Sequence, residues 1–211
     1  GHLGVVKMKQ LARVHCWWPK MEKDLENLAK SCVSCATTAT NPTEDFKPWP
    51  EPDHVWSRVH MDFLGPLWNS KWLIMVDAKS KFPFVADMGN DTSAKNLCNV
   101  LEPAIDWLGP PTTLVSDNGP PFTSFEMSEF YKRYAIQHIT TAPYHPPSNG
   151  IAERFVRSFK EGMVKEQQSG QTNKTIALRN VLRSYRWTPH TTTGIPPAEA
   201  LFRRPIRTEL A

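Results

Sequence analysis

The sequence predicts an α/β protein: a three-layer domain on a five-stranded mixed sheet, preceded by a small helical unit. Three observations carry that expectation. Strand-like segments come first as an antiparallel meander and then alternate with helical ones, the order of a mixed sheet covered by helices. The run "KWLIMVDAKS" is largely apolar, as a buried central strand should be. A Cys-x-x-Cys pair, Cys32 and Cys35, closes an opening stretch too short to hold a stable core without a staple.

In chain order, "VVKMKQLARVH" and "MEKDLENLAKSC" read as two short helices joined by the turn "WWPK", with Met21, Leu25, Leu28 and Ala29 at helical spacing in the second. Residues 1–36 form this unit, and His15 and Cys16 are expected to pack in its core. Residues 37–54, proline-rich and without periodicity, read as an extended linker. Residues 55–190 carry the main domain. "WSRVHMDFLGP", "KWLIMVDAKS" and "FPFVADMG" are its three meander strands. "TSAKNLCNVLEPAIDWLG" is a helix capped by Thr92 or Ser93 and stopped at Gly109-Pro110-Pro111, with Cys98 on its apolar face. "TTLVSDNGP" is a short strand ending at Asp117, "SFEMSEFYKRYA" a helix, and "IQHITTA" the fifth strand. Two long helices follow, beginning near Gly150 and Asn173, and residues 191–211 extend the core.

Composition narrows the function. Hydrophobic content of 40%, charged content of 22% and eight tryptophans suit a globular chain rather than a disordered one. No apolar run approaches the ~18–20 residues of a membrane span, and "GHLGVVKMKQ" lacks the apolar stretch of a secretory signal. A Cys-x-x-Cys pair in a chain with four cysteines suggests a metal site in a reducing compartment. The net charge of +4 divides into +3 over residues 1–40, −5 over 41–149 and +6 over 150–211. An acidic middle between basic ends suits a cation site flanked by surfaces for a polyanion.

The acids are the chemical candidates. Asp62 is expected to end the first strand and Asp117 the fourth, where open α/β sheets place their ligand crevice. Glu153 opens a helix, with 35 residues between it and Asp117. Ile151, Phe155, Phe159 and Met163 make that helix's buried stripe. Glu153 falls at ~200° from Phe155, sharing its exposed face with Arg157 and Lys160. Converging carboxylates need a cation, and an all-oxygen set favours Mg²⁺ or Mn²⁺. First-turn acids also favour a helix dipole, and strand-end aspartates are common in turns, so the residues alone leave both readings open.

The segments "HMDFLGP", "LVSDNGPPFTS", "TTAPYHPPSNGIAERFVRSFK" and "TPHTTTGIPPAEALFRRPIRT", with the opening "GHLGVVKMKQLARVHCWWPKMEKDLENLAKSCVSCA", span nearly the whole chain in order. They resemble the integrases of retroviruses and LTR retrotransposons, the gypsy type most closely. The resemblance implies an RNase H-like core in which Asp62, Asp117 and Glu153 bind two Mg²⁺ (or Mn²⁺) ions. It also implies trimming of the element's DNA 3′ ends by water, then attack of the 3′-hydroxyls on target DNA. Zn²⁺ held by His2, Cys32 and Cys35 is implied too, the family's other histidine lying upstream of residue 1, so that the chain looks truncated. Tyr144, His145 and Asn149, in the loop before the acidic helix, and Arg154, Arg157 and Lys160 on that helix are the implied DNA contacts. A homo-oligomer on DNA is expected, acting inside the cell in the nucleus by way of a cytoplasmic virus-like particle. Asp77, in the second strand, is expected to be structural or to support the ligands. Asp87 and Asp91 read as turn residues, and Gly119 as a conformational requirement of the turn after Asp117.

Overall fold

The computed structural model describes residues 5–31, 49–141 and 150–208 of the 211. The chain divides into two compact units, residues 1–47 and 48–211. The first contains helices α1 (Val5–His15) and α2 (Met21–Lys30), joined through Lys20 in the left-handed conformation. Only Met21 and Leu25 of α2 are buried, and Leu28 is 60% exposed. The two helices are tied at their polar faces, where Lys9 meets Glu26 at 2.6 Å and Glu22 at 3.5 Å, and Arg13 also pairs with Glu22. His15 and Cys16 are exposed, against the expectation that they pack inside. Two short helices enclose too little volume to cover them.

The second unit is built on a five-stranded sheet of order β3-β2-β1-β4-β5, from β1 (Arg58–Leu67), β2 (Ser70–Asp77), β3 (Pro83–Gly89), β4 (Thr113–Ser116) and β5 (Gln137–Thr140). β1, β2 and β3 run antiparallel, while β4 and β5 add in parallel, as expected of the mixed sheet. Trp68 and Asn69, both at φ 54°, turn β1 into β2, and a two-residue left-handed loop matches the twist of a hairpin. Helices α3 (Ala94–Leu108), α4 (Phe125–Arg133), α5 (Gly150–Gln168), α6 (Lys174–Trp187) and α7 (Pro197–Phe202) cover the faces. Ser93 caps α3 by accepting from the Asn96 N–H, Ser124 caps α4 and Asn173 caps α6.

The period-two alternation sorts the sheet into two cores. Val59, Met61, Leu73, Met75 and Leu114 face a core shared with Leu97, Leu101, Phe122, Phe130 and, from α7, Ala198 and Leu201. Trp72, Ile74, Val76 and Val85 face the other, against Phe155, Phe159 and Met163 of α5 and Leu182 of α6. Each large apolar side chain so buried stabilises the fold by roughly 1.5–3 kcal/mol. α5 and α6 approach closely at Gly162, where a Cβ would stand 2.9 Å from Val181 Cγ1. Arg186 anchors α6 to the sheet by donating twice to the Pro83 carbonyl, at 3.1 and 2.8 Å.

Candidate active site

Strand register brings the first two acids together. β1 and β4 pair in parallel with Val59 opposite Leu114 and His60 opposite Val115. Two residues further along both strands stand Asp62 and Asp117, so continuing the register sets them side by side on strands about 4.8 Å apart. Asp62 pairs with Ile74 across β2, and Ile74 faces α5, so Asp62 faces α5 as well. Asp62 does not end β1, as the sequence suggested; it lies in mid-strand against β2. It is nonetheless past the last residue that β4 covers, because β4 is only four residues long. The short neighbour opens the crevice.

Glu153 enters from above, on the first turn of α5, exposed while its neighbours Ala152 and Phe155 are buried. Asp62 senses the other two acids. The Asp62 carboxyl is pushed up from 3.8 to about 6, chiefly by burial. The Phe63 N–H pulls it down, and the negative charges of Asp117 and Glu153 push it up further. Asp62 Oδ1 accepts from that N–H at 2.8 Å, and Asp117 Oδ1 from the Gly119 N–H at 2.9 Å. Each aspartate is thus oriented by a backbone donor, and neither has its second oxygen engaged by a described donor.

The donor set, three carboxylates of which one is desolvated and crowded by negative charge, fits a hard divalent cation. Among the described residues no three His, Cys, Asp or Glu side chains stand close enough to hold one ion as placed. Holding one ion among them requires the three carboxylates to draw closer than they stand.

Gly119 differs from expectation. Its backbone is not left-handed; instead a Cβ there would stand 2.8 Å from Asp117 Oδ1. The glycine is needed for the close approach of the carboxylate. Asp77 pairs with Val59 and so faces the opposite side of the sheet from Asp62. Fully buried, it accepts from the Trp56 N–H at 2.9 Å, the Ser80 N–H at 2.8 Å and the Ser80 hydroxyl at 2.6 Å. That is a structural role, and direct ligation is excluded by the face. Asp91 accepts from the Ser93 N–H in a turn, whereas Asp87 lies in β3 and pairs with Lys174 of α6.

The sequence reading missed His138. Its Nε2 lies 2.8 Å from the Ser116 hydroxyl, which donates at 2.8 Å to the Asp117 carbonyl, and its ring stacks on Tyr131 at 4.4 Å. Burial pushes the imidazole pKa down, so a neutral ring supports the backbone of Asp117. No local pattern signals this, since 22 residues separate His138 from Ser116. Of the remaining candidates, Arg154, Arg157 and Lys160 are exposed on α5, the first donating to the Gly150 carbonyl at 2.9 Å. Tyr144, His145 and Asn149, like His2, Cys32 and Cys35, lie outside the described residues.

Comparison with known proteins gives this geometry a setting. Residues 50–146 match the family model of the integrase core domain, and residues 1–41 that of the integrase zinc binding domain. An uncharacterized protein of Caenorhabditis elegans is 40% identical over the whole chain, which covers 17% of that protein. The Pro-Pol polyprotein of feline foamy virus is 30% identical over 82% of the chain and 16% of its own length. The Pol polyprotein from transposon 412 of Drosophila melanogaster is 22% identical over 97% of the chain and 17% of its own length. The chain therefore spans about a sixth of these relatives. Among solved structures, the simian T-cell lymphotropic virus intasome matches with a TM-score of 0.68 at 21% identity, over 97% of this chain and 72% of that one. The HTLV-2 integrase catalytic core in complex with magnesium matches with a TM-score of 0.58 at 22% identity, over 71% of this chain and 97% of that one. The fold is that of the retroviral integrase cores.

Proposed function

Because this chain belongs to the integrases of retroviruses and LTR retrotransposons, we propose that it trims element DNA ends and joins them to target DNA, with Asp62, Asp117 and Glu153 as the catalytic carboxylates. The reading rests above all on the Asp62–Asp117 adjacency across β1 and β4, under Glu153. Bound Mg²⁺ or Mn²⁺ ions would supply activation of the attacking oxygen and stabilisation of the leaving one. The protein's own part is placement. Phe63 and Gly119 N–H groups fix the two aspartates, and the His138–Ser116 pair steadies the backbone of Asp117. Arg157 and Lys160, beside Glu153 on α5, would align DNA phosphates along the crevice.

In the first reaction water forms a bond to phosphorus and the 3′ oxygen of the strand leaves with a proton. In the second, that 3′-hydroxyl forms a bond to a target phosphorus while a target 3′ oxygen departs. Both are exchanges at a phosphodiester with no net oxidation, so one set of carboxylates serves both. His2, Cys32 and Cys35 would hold Zn²⁺ in the first unit. Assembly as a homo-oligomer on DNA and action in the nucleus belong to the same proposal. The deciding experiment is strand transfer with Mg²⁺ on oligonucleotides carrying the element's ends. Asp117→Asn should fold as the parent does and lose activity; a variant as active as the parent refutes the assignment.

A further inference from the structure

A second site lies on a flank of α5. A cavity of about 630 Å³ opens there between β2, α5 and the segment after α6, lined among others by Lys81, Arg154, Arg157, Ser158, Tyr185 and His190. At about 100° per residue, Arg157 stands between Glu153 and the pair Arg154 and Ser158, so the cavity adjoins the face of Glu153, but none of the three acids lines it. No carboxylate among the described residues lines it. Among the described residues Lys81, Arg154, Arg157 and His190 form no ion pair. The carboxylates that Lys81 senses, Asp77 and Glu51, are outside the lining, and Asp77 is already engaged by Trp56 and Ser80.

The imidazole is set as a donor. His190 Nδ1 accepts from the Thr192 N–H at 3.2 Å, which leaves the neutral ring's proton on Nε2. Its own carbonyl accepts from Gly194 and Thr193 and its ring packs edge-on against Tyr185, so the side chain is held in place. Burial lowers its pKa, and the charges of Lys81 and Arg154 lower it further, which places those two cations within electrostatic reach of the ring. The hydroxyls of Ser184 and Thr188 add neutral donors to the wall, while that of Ser158 donates to the Arg154 carbonyl at 3.3 Å.

We propose that this cavity is a phosphate-binding pocket, distinct from the carboxylate site, in which Lys81, Arg154 and His190 Nε2–H hold one phosphate group. Cations without carboxylate partners and a ring fixed as a donor are what an anion with several acceptor oxygens requires. The phosphate can come from a DNA backbone or from a free phosphoanion. The pocket stands on its own geometry; only the DNA source rests on the function proposed above.

The test is a titration of inorganic phosphate into the ¹⁵N-histidine-labelled full chain at constant ionic strength, reading the His190 imidazole resonances, assigned with His190→Gln. A saturable His190 shift is expected. It should weaken about tenfold in Lys81→Asn, which loses one charge-assisted bond and suits the left-handed backbone at that position (φ 64°). It should also weaken in Thr191→Glu, an exposed change that places an acid at the rim. Duplex DNA that displaces phosphate assigns the pocket to the backbone. DNA that binds and leaves phosphate in place assigns it to a free phosphoanion. An absent His190 response, or one unchanged in both variants, overturns the pocket. Neither result depends on strand transfer, which Asp117→Asn tests separately.

Discussion

Asp62→Asn should make the metal-free protein more stable. The Asp62 carboxyl rises from 3.8 to about 6 on folding, first through burial. Between those values the folded chain carries a proton there that the unfolded chain has lost. Stability from this group therefore falls as pH rises through the window and stays low above it. At ~1.36 kcal/mol for each tenfold change in acidity, the penalty at neutral pH is about 3 kcal/mol. Asparagine keeps an oxygen for the Phe63 N–H at 2.8 Å, though a neutral acceptor forgoes about 1 kcal/mol of charge-assisted bonding. The net gain is about 2 kcal/mol, on the order of 6 °C in Tm for a chain of this size. Parent and variant are to be compared by thermal unfolding in EDTA across pH 3.5 to 8. The variant's advantage should be full above about pH 7 and vanish below about pH 4. Added Mg²⁺ should raise the parent's Tm and leave the variant's unchanged. A variant less stable than the parent in EDTA at pH 8 would refute the claim that Asp62 is a buried, crowded carboxylate.

Three further outcomes follow from the same geometry. Gly119→Ala should displace the Asp117 carboxylate, whose oxygen would stand 2.8 Å from the new Cβ. Strand transfer should fall by an order of magnitude or more while Tm changes by less than ~2 °C, since a side-chain oxygen yields more cheaply than backbone. Asp77→Asn should cost roughly 2–4 kcal/mol, because three donors meet its oxygens and an amide NH₂ would oppose one of them; urea unfolding checks it. Lys160→Glu should weaken DNA binding at low salt and flatten the salt dependence, with the Mg²⁺-induced Tm rise kept; fluorescence anisotropy against NaCl reads the slope.

Local pattern made part of this legible. The α5 stripe followed from four-residue spacing, and Phe155, Phe159 and Met163 are all buried. Ser93 and Gly109 bound α3 because capping chemistry is read within a few residues. Non-local contacts were beyond that reach. Nothing in "HMDFLGP" states that β4 stops short of Asp62, since strand length is settled by pairing between segments 55 residues apart. The Ser116–His138 support is hidden for the same reason. The misplacement of His15 and Cys16 has a different origin: an apolar neighbourhood in sequence buries a side chain only if enough partners exist to cover it, and α1 and α2 are too short.

The two strand aspartates show why burial alone does not mark a functional acid. Asp77 is the more deeply buried, yet three donors converge on its two oxygens, and it fastens the start of the second unit to the β2–β3 turn. Asp62 has one described donor for two oxygens and faces further negative charge from Asp117 and Glu153. A carboxylate satisfied by its own fold contributes stability and has no capacity left for a ligand. One left under-satisfied in a crevice destabilises the metal-free fold, and that free energy is recovered only when a cation binds. The same contrast in opposite sign separates Arg186, whose guanidinium is engaged by the Pro83 carbonyl, from His190, whose Nε2–H borders an open cavity. Unmet bonding capacity in a fixed side chain, more than charge or depth, marks where this protein meets its ligands.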